Sequence, residues 1–173
     1  MTITGRICKY PPKSEIIMIR YVDAIFCPGK TPLTKATLLA GIYFLLQIAV
    51  VFILQALGVD YDENEVTERK SIFLAGVIIA PLIETCVMIL IYERTIKFMN
   101  YGFVAITIAC IAVLLHYPYS LARSTIIFFN FFIFSIQLSI WMKNTNRLRS
   151  FLGLAWTHAM CNMFYLIIIY ISA

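Results

Sequence analysis

Apolar residues in this chain fall into long unbroken runs set apart by short charged clusters. The runs are 36–59, 71–92, 98–122, 124–142 and 150–173, and each holds 19 to 25 residues. At 1.5 Å per residue, about 20 helical residues cross the roughly 30 Å hydrocarbon layer of a bilayer. Strands of a membrane barrel would alternate apolar and polar residues, and these runs do not. The pattern predicts an all-α polytopic membrane protein of about five transmembrane helices. Ahead of them, residues 1–35 are mixed. Glu15 to Phe26 carries Ile16, Ile17, Ile19, Val22 and Ile25 as a loose apolar stripe, interrupted by Arg20 and Asp23. It reads either as a short interfacial helix or as a polar leader folded against the loops. The chain thus divides into an N-terminal cytoplasmic or interfacial segment, 1–35, and a transmembrane helical domain, 36–173, with a core over about 71–173. No internal repeat or low-complexity stretch interrupts it.

Composition sharpens the class. Apolar residues make up 61% and charged residues 13%, against about 25% charged in soluble domains, and the mean hydropathy is +0.86. With the N-terminus inside and five spans, the cytoplasmic side collects eleven Lys and Arg and the far side three, namely Arg69, Lys70 and Arg123. That asymmetry sets the N-terminus in the cytoplasm. The formal charge of +5 therefore belongs to orientation, because nucleic-acid binding needs one basic face on a soluble fold. The first long run starts at Ala36, later than a cleavable signal peptide places it. An integral protein of the bacterial inner membrane is the expected location, and an endoplasmic reticulum protein would look similar. The five cysteines are odd in number, show no metal spacing, and lie in apolar runs at three positions. They read as small packing residues, not as a disulfide framework.

Against so apolar a background the polar exceptions stand out. Glu84 is the lone charge in its run, and a carboxylate at membrane depth costs a few kcal/mol on insertion scales, about 3. His116 sits near the end of the third run. His158 and Asn162 share the last, four residues apart and so on one helix face. Counted at 1.5 Å per residue, Glu84 and His158 both lie roughly 12 Å in from the same side, whereas His116 comes out about 27 Å deep on a straight helix. Pro118 just beyond it breaks or kinks the helix, so the third span starts late, tilts or re-enters. Singly, each residue has a plain reading: a buried hydrogen-bonding Glu, packing histidines, an Asn that joins helices. Together they can build a base, an orienting group and an oxyanion stabiliser.

Ala80-Pro81-x-x-Glu84, then His116, then His158-x-x-x-Asn162, in three successive motif-bearing spans, resembles the CPBP family. These are the CAAX prenyl protease and bacteriocin-processing, or Abi, intramembrane proteases. Their pattern is Glu-Glu-x-x-x-Arg, Phe-x-x-x-His and His-x-x-x-Asn or Asp. Residues 75 to 170 carry the resemblance. Three positions depart from it: Thr85 for the second Glu, Ile89 for the Arg and Ala112 for the Phe. Losing opposite charges together leaves neither unpaired in the membrane.

The resemblance implies a four-helix core and an intramembrane endopeptidase. Glu84 would be general base on a water, His116 would help hold it, and His158 with Asn162 would stabilise the oxyanion. No cofactor is implied by this route. A metal-dependent version would place a divalent ion such as zinc on Glu84, His116 and His158, which are suitable ligand types. The implied partners are the lipid bilayer and a membrane-anchored peptide or protein substrate, with no nucleic acid. The same fold without turnover, as in bacteriocin self-immunity members, is the alternative function. A proton or ion carrier would also explain intramembrane Glu and His, but many transporters are built on repeats, and this sequence has none.

Overall fold

The computed structural model describes residues 25–28, 31–59, 75–116 and 120–172. Five helices make up this part, with no strand among the described residues: α1 (Pro32–Ala56), α2 (Ala80–Thr95), α3 (Tyr101–Leu115), α4 (Leu121–Asn144) and α5 (Arg147–Ser172). A π-helical turn over Ala75–Ile79 leads into α2. The proposed interfacial stretch from Glu15 falls outside the described residues except for Ile25 and Phe26, which are helical. Residues 60–74 and 117–119 also lie outside them.

Local chemistry explains each boundary. Pro32 opens α1 at its first position, where its fixed φ suits a helix and its missing N–H is not needed. Gly58 closes it at φ 74°, giving its N–H to Gln55 while Val59 returns to Leu54. That pair of bonds needs a left-handed residue, which glycine supplies without strain. Asn100 caps α3 by accepting from the Phe103 N–H at 3.1 Å, and Ser120 caps α4. Asn146 starts α5 in the same way, accepting from the Arg149 N–H at 2.8 Å.

Every expected span differs at its ends, and two of the differences bear on the site. The third was expected over 98–122, yet α3 has 15 residues, because the Asn100 cap delays its start and His116 is its C-cap. The second was expected to stop at Tyr92, yet α2 runs on to Thr95. Its last turn tolerates polar residues: Glu93 pairs with Arg147 at 3.1 Å, and the Thr95 hydroxyl donates to the Ile91 carbonyl at 2.8 Å.

α4 and α5 form the centre. α5 packs on α1, α2 and α4, while α4 also carries α1, α2 and α3. Trp141, Phe134, Leu39, Met88, Ile108 and Leu154 are fully buried there. Ala105, Ala109 and Ala112 on the inner face of α3 let it lie close against α4. The outer faces are apolar and exposed, as at Leu45, Phe52, Leu90 and Leu114. In water that surface would be an association hazard, and in a bilayer it meets lipid tails. Among the described residues, three helices are long and apolar enough to cross a membrane: Pro32–Ala56, Gly76–Thr95 and Leu121–Asn144. Tyr101–Leu115 is apolar but shorter, about 22 Å of helix.

The expectation that the cysteines serve packing alone needs correction. Cys86, Cys110 and Cys161 are free, but Cys27 is disulfide-bonded. An odd cysteine count permits one bridge, and a count cannot show which residues meet.

Candidate functional site

Glu84 is the fifth residue of α2, His116 caps the C-terminal end of α3, and His158 lies in the middle of α5. The helices bring all three together. Oε1 of Glu84 is 3.5 Å from Nε2 of His116, and its Oε2 is 3.3 Å from Nε2 of His158. One carboxylate thus faces an imidazole on each oxygen. The late start of α3 and the longer α2 explain how. From the α2–α3 turn Glu84 is about 16 Å along its helix and His116 about 22 Å, a gap that the turn and two side chains bridge.

Hydrogen bonding fixes the tautomers. Nδ1 of His116 lies 2.7 Å from the Ala112 carbonyl oxygen. A carbonyl can only accept, so this nitrogen carries hydrogen. With Nδ1 carrying hydrogen, Nε2 is the His116 atom that faces Oε1 of Glu84. His158 is buried and its Nδ1 has no hydrogen-bond partner. Its Nε2 is therefore the nitrogen with a use for the hydrogen, directed at Oε2. Glu84 keeps a quarter of its side chain exposed, a face open to a water or substrate atom. Both Glu–His separations exceed the roughly 2.8 Å of a tight charge-assisted bond, and such contacts commonly close up when a substrate arrives.

The site has a wall that sequence reasoning missed. Phe131 and Phe134 of α4, one turn apart, stand against the imidazoles. Ring centroids are 5.8 Å apart for His116 and Phe131, 5.6 Å for His158 and Phe131, and 4.8 Å for His158 and Phe134. Behind them runs a buried polar chain. The Tyr43 hydroxyl donates to Gln137 Oε1 (3.1 Å), Gln137 Nε2 donates to the Thr157 hydroxyl (3.0 Å), and Thr157 donates to the Gly153 carbonyl (2.9 Å). This chain ties α1, α4 and α5 beside His158. Its sequence signal was Gln137, a carboxamide within an aromatic run.

Asn162, the fourth predicted site residue, lies one turn beyond His158. Its Nδ2 donates to the carbonyl of Gly76, in the π turn before α2, at 2.8 Å. The departures from the CPBP motif are buried. Thr85 is fully enclosed with no partner for its hydroxyl, and Ile89 is packed in the core. A Glu and an Arg there would be enclosed as well. Glu84, His116 and His158 have the right chemistry for a zinc site. Each Nε2 stands beside one oxygen of the Glu84 carboxylate, and among the described residues no group of three or more His, Cys, Asp or Glu is arranged to hold a metal ion.

No family model, curated protein or solved structure matches the chain.

Proposed function

We propose that the protein is an intramembrane peptidase of the CPBP kind, hydrolysing a peptide bond in a membrane-associated peptide or protein. The observation that supports it is the Glu84 carboxylate set between His116 and His158 from two other helices. In this reading Glu84 takes a proton from water on its exposed edge. The hydroxide so formed attacks the scissile carbonyl, and the proton held by Glu84 passes to the leaving amine as the C–N bond breaks, while His116 and the His158 N–H directed at Oε2 hold the carboxylate in place. The aromatic wall keeps the dielectric low, which strengthens each of these interactions. All five helices are read as membrane-embedded, with the N-terminus cytoplasmic in a bacterial inner membrane. The eleven-to-three distribution of basic residues supports that orientation.

A specific observation favours the second reading, an immunity or assembly protein without turnover: Thr85 and Ile89 replace the charged pair of the motif. The two readings separate in one experiment. The full chain in lipid nanodiscs is given a library of fluorogenic lipid-anchored peptides, alongside Glu84→Gln. Peptidase function requires cleavage by the parent chain and a loss of about a hundredfold or more in the variant, with peptide binding kept. Cleavage that Glu84→Gln leaves unchanged refutes the role of Glu84. Binding with no cleavage by either protein assigns the chain to the second class.

A further inference from the structure

The bond from Asn162 to Gly76 replaces something the backbone lacks. In a π turn the carbonyl of residue i pairs with the N–H of residue i+5. Over Ala75–Ile79 that register pairs Gly76 with residue 81, which is a proline and has no N–H. The Gly76 carbonyl therefore has no intrahelical donor in this register. An unpaired carbonyl at membrane depth is costly, because no water is there to bond it. Asn162 fills the vacancy from another helix, at 2.8 Å.

We propose that Asn162 is a positioning residue: its carboxamide stands in for the N–H missing at Pro81 and holds the register that aims Glu84 at both histidines. α5 grips the start of α2 at two levels, His158 on Glu84 and, one turn on, Asn162 on Gly76. Two grips fix both the height and the rotation of α2. Without the second, the Gly76 carbonyl is bare, and the turn can relax to ordinary helix, which gives Gly76 the Ala80 N–H and passes the vacancy at Pro81 to Val77. That changes the phase of all that follows by one residue, about 100°, and turns Glu84 away from the imidazoles. The consequence for turnover rests on the peptidase reading. The geometric claim stands without it.

The test uses a convenient fact: the chain has two histidines, both in the site. Full-length protein labelled with 15N-histidine in nanodiscs gives four ring-nitrogen signals, of which the two Nε2 signals report on Glu84 directly. Asn162→Ala is expected to move the signals of both rings and to cut hydrolysis of the fluorogenic peptide about a hundredfold. Pro81→Ala restores an N–H at position 81. Alone it should keep the parent signals, and combined with Asn162→Ala it should bring signals and hydrolysis back to within about threefold of the parent, a small part of the single variant's loss. A residue acting as an oxyanion donor or as simple glue between helices would not be rescued in this way. Unmoved signals in Asn162→Ala overturn the proposal, as do signals in the double variant that stay where Asn162→Ala put them. If Asn162→Ala alone does not fold, the double variant still decides: it must fold with parent signals, and failure to do so overturns the proposal. Glu84→Gln with undiminished hydrolysis would overturn the peptidase reading alone.

Discussion

Replacing Gly153 by alanine should strike the joint between the two central helices. A Cβ at Gly153 would overlap Cζ3 and Cη2 of the Trp141 indole. Trp141 is fully buried and cannot swing aside freely, because its Nε1–H donates to the Phe26 carbonyl at 2.6 Å. Overpacking a core costs about 1–3 kcal/mol, and a lost buried hydrogen bond adds about 1, so the change should destabilise by roughly 2–4 kcal/mol. Unfolding in mixed micelles of rising SDS fraction measures this, and fluorescence follows it, since the chain has two tryptophans. Trp141→Leu shrinks the offending side chain. In the alanine background it should cost less than the two single changes added together, by about 1–2 kcal/mol of coupling. A Gly153→Ala protein within about 0.5 kcal/mol of the parent would refute the reasoning. It would mean that α4 and α5 can part without penalty, and that the α4 wall against His158 is not held by this contact.

Two further changes test the surroundings of the site. Gln137→Leu removes the middle of the buried chain and strands the Tyr43 hydroxyl, so about 1–3 kcal/mol should be lost in the same unfolding assay. The Thr157 hydroxyl keeps its bond to Gly153 in that variant, so His158 should hold its 15N signals. Thr85→Glu places the second glutamate of the CPBP motif on a fully buried position and should cost about 3–5 kcal/mol as an uncompensated charge. Adding Ile89→Arg one turn later should recover part of that loss, and no recovery would show that this core cannot take the charged pair of the motif.

How much of this was legible in the sequence depends on what kind of partner each residue has. Glu84, His116 and His158 could be picked out because a charge-poor span makes a lone ionisable group conspicuous, and counting helical rise set Glu84 and His158 level. His116 resisted the count because composition marks where apolar residues run, not where a cap ends a helix. Asn100 accepts from Phe103 and moves the start of α3, and that changes the depth of everything after it. Phe131 and Phe134 could not be singled out, since aromatic residues are ordinary in a lipid-facing run. Only the rotation of α4, set by packing, turns these two inward. Asn162 was found for its spacing from His158, but its partner is a backbone carbonyl, which every residue carries. Even so, the clue is present one step removed. A proline four residues past a helix start orphans the carbonyl of i−4, and in a π register that of i−5. In a membrane such a carbonyl must find a donor elsewhere, and a carboxamide in another span can supply it, as Asn162 does for Gly76. Intramembrane prolines can thus be read as half of a pair, and the fixed face of α5 names Asn162 as the other half here.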